Sequence, residues 1–153
     1  MRRYNNLDNP IFLFSLLLLA VTLNTISSVY FLIILMCGVL FIAFYESLKN
    51  RRLYTLSFIV LAFLIIEINS GLKPLSLTLL SLFLYIFIVP SINRSITYSN
   101  VNKYIFVILF YIGILTLWSF STDISLTIVK AIIINILIDL MFIGAFLWNF
   151  DLT

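Results

Sequence analysis

The stretch PIFLFSLLLLAVTLNTISSVYFLIILMCGVLFIAFY, from Pro10 to Tyr45, contains no charged residue. A helix crossing the hydrocarbon core of a bilayer needs roughly 20 residues, so this run is too long for one span and has to turn back once. Its polar cluster, Asn24, Thr25, Ser27 and Ser28, predicts the turn, with one helix over about 10–26 and a second over about 29–46. Outward from there, apolar runs predict a third span over about 53–68, a fourth over about 75–89, a fifth over about 104–120 and a sixth over about 125–148. Pro74 suits the first turn of the fourth helix, where a missing N–H is no loss, and Pro90 predicts its end. The predicted fold class is all-α: a six-transmembrane-helix bundle with short loops, one integral membrane domain over residues 1–153.

Composition agrees with that reading. The chain is 63% hydrophobic and 10% charged with mean hydropathy +1.21, whereas about a quarter of the residues of a soluble domain are charged. The basic residues alternate between breaks. Arg2 and Arg3 precede span one, Lys49, Arg51 and Arg52 separate spans two and three, and Arg94 and Lys103 separate four and five. The other breaks hold Lys73 and Asp123 but no basic cluster, which places both termini on the cytoplasmic side. Tyr30, Tyr45, Tyr54, Tyr104, Trp118 and Trp148 fall near predicted span ends, where amphipathic rings settle at headgroup depth. The net charge of +3 is spread over three loops, leaving no dense patch for nucleic acid. Cys37 is the single cysteine and is expected to behave as a small buried hydrophobe.

The usual catalytic arrangements lack their parts. There is no histidine, which removes Ser-His-Asp and Cys-His sites and the H-E-x-x-H zinc motif. Gly38, Gly71, Gly113 and Gly144 are each isolated, so no phosphate-cradling loop is present. The chain reads as a non-enzyme with no cofactor and no metal. Glu67, Lys130 and Asp139 are the costly residues within predicted spans, and each needs a partner because an ionised group near the bilayer centre is penalised by roughly 3 kcal/mol. Glu67, in the last turn of span three, and Lys130, early in span six, are expected just below the same surface and can pair, with Lys73 a competing partner. Asp139 shares a helical face with Asn135 one turn earlier. Its expected role is a hydrogen bond across to another helix; an ion or proton pathway and a partner contact are the alternatives. Glu67 and Asp139 lie on different spans at different predicted depths, so no dyad is expected. Thr78, Ser81 and Tyr85 form a milder polar stripe on span four, read as interhelical packing with a substrate-lining stripe as the alternative.

The segment AFLIIEINSGLKPLS, Ala62 to Ser76, resembles the signature of the rod-shape-determining MreD family: a hydrophobic span ending in an acidic residue, a Ser-Gly turn, then a Pro or Gly and a Leu opening the next span. Glu67, Ser70, Gly71, Pro74 and Leu75 carry the resemblance, with Glu67 standing where Asp is usual. Chain size, span number, the basic loop Lys49 to Arg52 and mid-membrane polar residues in the last span, here Asn135 and Asp139, are also similar. The resemblance implies a non-enzymatic scaffold in the bacterial inner membrane, embedded in membrane lipid, within the cell-wall elongation machinery. Its implied partners are an MreC-like bitopic protein and, indirectly, an MreB-like filament, a RodA-type glycosyltransferase and a penicillin-binding transpeptidase. The family's fold is also similar to that of the substrate-binding S-components of energy-coupling-factor vitamin transporters, which supplies the alternative function. Such subunits usually carry an Ala-x-x-x-Ala face on the first span, whereas here Ala20 is flanked at four-residue steps by Leu16 and Asn24.

Overall fold

The computed structural model describes residues 10–29, 36–95, 99–120 and 126–151, and all regular structure within them is helical. In chain order the helices are α1 (Pro10–Val29), α2 (Cys37–Lys49), α3 (Leu53–Ser70), α4 (Ser76–Ser95), α5 (Ser99–Ser119) and α6 (Leu126–Asp151). Four segments, Leu53–Ser70, Ser76–Ser95, Val101–Ser119 and Leu126–Gly144, are long and apolar enough to cross a membrane, and Phe14–Ile26 is a shorter apolar one. The six-helix, all-α architecture predicted from hydropathy is the one observed, and its helices have transmembrane character.

α2 is the centre of the bundle. Every residue from Cys37 to Phe44 is buried, because α3, α4, α5 and α6 all pack around it, and a helix apolar on every face is one enclosed on every side. Phe41 stacks on Phe110 of α5 at 4.7 Å between ring centres, and Phe63 of α3 joins them at 6.1 Å from Phe110. α1 stands outside this group and leans on α3, where Phe14 meets Phe58 edge-on at 6.3 Å. The outer surface carries Ile133, Ile134, Leu137 and Met141 of α6 and Phe58, Leu61 and Ile65 of α3. On a water-exposed domain so broad an apolar surface would aggregate; facing lipid tails it is matched to its solvent.

Several predicted boundaries move. α1 continues through the cluster Asn24 to Ser28 to Val29, so the turn does not fall there; α2 is described from Cys37 rather than from about 29, and residues 30–35 lie outside the described residues. The hydroxyls do not break the helix because they bond back to it: Thr22 Oγ1 donates to the Leu19 carbonyl and Thr25 Oγ1 to the Val21 carbonyl. Asn24 is buried and accepts a bond from Asn69 Nδ2 of α3 at 3.1 Å, tying the two helices together. Pro74 lies two residues before α4 rather than in its first turn. Trp118 lies one residue from the end of α5 and is buried, while Tyr54 is exposed at the start of α3; Tyr30 lies outside the described residues.

Pro90 does not end the fourth helix, which runs on to Ser95. A proline inside an α-helix removes one N–H and drives its ring against the carbonyl four residues earlier, here that of Ile86. The helix avoids the clash by widening to a π turn over Leu84–Ile88, where the Val89 N–H donates five residues back to the Leu84 carbonyl. Beyond it, Asn93 Oδ1 accepts a bond from Asn102 Nδ2 at 2.9 Å, pinning the end of α4 to the start of α5.

Candidate functional site

The chain bends sharply into two of its helices. Met36 before α2 and Leu75 before α4 both take left-handed backbone angles, φ 49° and 67°, a region that residues with a Cβ seldom occupy. Neither residue offers a side-chain cap, so the first N–H groups of each helix need an acceptor from elsewhere. In both cases a buried carboxyl group supplied by another helix is that acceptor.

At α4 the group is Glu67. Its Oε2 accepts the Leu75 N–H at 2.6 Å, its Oε1 accepts the Leu77 N–H at 2.5 Å, and the Ser76 hydroxyl lies 3.5 Å from Oε1. The segment between is folded to make this possible. Gly71, φ 70°, closes α3 in the left-handed conformation, with its own N–H and that of Leu72 directed to the carbonyls of Ile68 and Glu67. Three residues later Pro74 stiffens the return. Glu67 is fully buried, and the partial positive charge of the α4 N-terminus is a suitable environment for its negative one.

At α2 the group is Asp139, from the middle of α6. Oδ2 accepts the Gly38 N–H at 2.8 Å and the Tyr111 hydroxyl of α5 at 2.7 Å, so one oxygen joins three helices. The approach leaves no room for a side chain at position 38: a Cβ there would sit 2.7 Å from both Asp139 Oδ2 and Val107 Cγ1. Asn135, one turn before Asp139, is buried on the same side and donates to the Ala131 carbonyl at 2.8 Å. Cys37, the first residue of α2, is buried as expected.

The ion pair expected between Glu67 and Lys130 is absent. Glu67 directs both oxygens at backbone N–H groups, while Lys130 and the alternative partner Lys73 are exposed, where a long side chain reaches water at no desolvation cost. Among the described residues the ion pair present is Lys103 with Glu46, at 3.8 Å. Glu67 and Asp139 serve different helix starts. Ser81 of the polar stripe is buried and bonds to the Leu77 carbonyl, while Thr78 and Tyr85 are half-buried, so the stripe faces the bundle. Ser70 is the last residue of α3, half-buried beside the turn. No three His, Cys, Asp or Glu side chains gather as a metal site among the described residues.

Sequence reasoning singled out both carboxyl groups but not their partners, Gly38, Tyr111 and the backbone of Leu75 and Leu77. The available signal was Gly38 itself, an isolated glycine in an otherwise bulky apolar run, which in membrane helices marks close approach of backbones. No protein-family model, no curated protein and no solved structure matches this chain.

The Glu67 geometry has a direct test. Glu67→Leu strands two N–H groups at about 1–3 kcal/mol each and should lower the thermal midpoint of the detergent-purified protein, with Glu67→Gln lowering it less. Lys130→Gln should change nothing, alone or on top of either variant. Recovery of Glu67→Gln by Lys130→Gln would show that the two charges pair after all.

Proposed function

We propose that this chain is a non-enzymatic, MreD-like scaffold of the bacterial cell-wall elongation machinery, seated in the inner membrane with both termini in the cytoplasm. The observation that carries the reading is the corner between α3 and α4. Glu67, Ser70, Gly71, Pro74 and Leu75 are the residues that resemble the family signature, and they form one capped unit: Gly71 closes α3, and Glu67 receives the first N–H groups of α4. The acidic residue is then a structural cap, and the corner holds α3 and α4 at a fixed angle. A rigid bundle with short connections suits a scaffold. Its lipid-facing helices would receive the single span of an MreC-like protein and, indirectly through it, the RodA-type glycosyltransferase with its penicillin-binding transpeptidase, with an MreB-like filament at the cytoplasmic end.

Depletion of the protein in its own host is the test. Rods that round up and swell, together with co-purification of an MreC-like bitopic protein, support the scaffold. Normal rods with a new vitamin requirement would refute it in favour of a transporter S-component. Orientation is tested separately in a Cys37→Ala background carrying single cysteines in place of Asn50, Ser121 or Thr153. Only the cysteine replacing Ser121 should react with an impermeant thiol reagent added outside spheroplasts; labelling at position 50 would overturn the six-span topology.

A further inference from the structure

The turn between α2 and α3 concentrates positive charge on a backbone that would be easier to build without it. α2 ends with the Arg52 N–H donating to the Ser47 carbonyl at 2.9 Å and the Arg51 N–H to the Leu48 carbonyl at 3.1 Å, the paired closure that places its penultimate residue in the left-handed region. That residue is Arg51, φ 54°. Glycine occupies such a position without strain, and a side chain there is disfavoured. Packing gives no reason for an arginine: the Arg51 side chain is exposed and makes no hydrogen bond or ion pair to another described residue. The closure instead projects a guanidinium outward from a fixed base.

Other cations surround it. Lys49 is exposed with its Nζ 5.8 Å from the centre of the Tyr45 ring, and Arg52 follows directly in the chain. Lys103 of α5 reaches the same place, 3.8 Å from Glu46, the one carboxylate in the group. Immediately beyond, α3 opens with Leu53 and Tyr54, which are 75% and 87% exposed. A cationic turn thus abuts an apolar step at the end of a transmembrane helix. A soluble anion would use only the first of these features. A phospholipid uses both, with phosphate oxygens on guanidinium and ammonium groups and acyl carbons against the adjoining apolar side chains.

We propose that the α2–α3 turn is a docking site for an anionic phospholipid, whose headgroup phosphate is held by Lys49 and Arg51 and whose upper acyl carbons lie on Leu53 and Tyr54. The site does not depend on the scaffold reading. It lets the protein select anionic lipid at one end of the bundle.

The test uses the full chain purified in a neutral detergent and titrated with phosphatidylglycerol, phosphatidylcholine or inorganic phosphate, with bound lipid counted by native mass spectrometry. Wild type should retain phosphatidylglycerol in preference to phosphatidylcholine, and inorganic phosphate should not displace it at equal concentration. Arg51→Gly removes the charge while relieving the backbone, so its thermal midpoint should equal or exceed that of wild type while its phosphatidylglycerol affinity falls about fivefold. Arg51→Asn, which also tolerates the left-handed region, should lose affinity to the same extent. Adding Lys49→Gln should weaken binding by a similar further factor, whereas Lys130→Gln, at the opposite end of the bundle, should leave it unchanged. Undiminished phosphatidylglycerol binding in both Arg51 variants, equal retention of phosphatidylcholine, or displacement by inorganic phosphate would each overturn the proposal.

Discussion

Asp139→Leu is expected to cost roughly 2–6 kcal/mol of stability, from about 1–3 kcal/mol for each of two buried donors deprived of an acceptor. Those donors are the Gly38 N–H and the Tyr111 hydroxyl, and in a hydrocarbon environment no water replaces what is lost. Accumulation in membranes and the thermal midpoint in detergent should both fall sharply. Asp139→Asn keeps one acceptor oxygen and should lose far less. Removing the stranded hydroxyl with Tyr111→Phe should make the Asp139→Leu, Tyr111→Phe double variant more stable than the sum of its single losses predicts. The same variants bear on function. On the proposed scaffold reading Asp139 serves only helix packing, so Asp139→Asn should still bind the proposed partner and support rod shape. If Asp139→Asn accumulates and binds yet does not function, the ionisable group itself is required and a transport role takes precedence.

Gly38→Ala should disturb the same contact from the other side. The new methyl group would meet Asp139 Oδ2 and Val107 Cγ1 at 2.7 Å and Tyr111 Cε2 at 3.2 Å, and overpacking of a close contact typically costs about 1–3 kcal/mol. Part of that loss should return with Val107→Ala, which clears one neighbour, and none with Leu80→Ala, which lies elsewhere against Gly113. Gly71→Ala provides a contrast. Nothing lies within 4 Å of a Cβ there, so its cost is that of a left-handed backbone alone, about 1–2 kcal/mol. Thermal midpoints of these four variants, in one detergent, separate crowding from conformation; equal losses at positions 38 and 71 would contradict the contact at Gly38.

What the sequence revealed and what it hid divide along a physical line. Hydropathy reports how much apolar surface a segment offers, and that suffices for six helices and for the approximate position of each. It does not report how a polar group satisfies itself. Asn24 and Thr25 looked like a turn because their polarity was read as a need for water, yet Asn69 and the helix's own carbonyls meet that need inside the bundle. Pro90 looked like a terminus because the rule for proline assumes α geometry, which the π turn suspends. Glu67 was assigned a cation because a buried charge invites one, whereas a helix start that has no cap of its own serves equally well. Asp139 and Asn135 were correctly placed on a shared inward face, since periodicity alone decides that. The partners of Asp139 come from residues about 30 and 100 positions away, a separation that one-dimensional pattern reading does not span.

The wide turn in α4 also acts as a phase shifter. Successive residues of an α-helix advance by about 100° around the axis, and a turn closed by a five-residue step accommodates one residue more than its neighbours do. The two halves of α4 therefore belong on separate helical wheels, offset by about that angle. Read on a single wheel drawn from Ser76, Asn93 would be assigned to the wrong face; it is the surplus residue between Leu84 and Ile88 that brings it round to meet Asn102. Deleting one residue from that stretch would leave a chain of almost unchanged hydropathy in which the C-terminal end of α4 is turned away from α5.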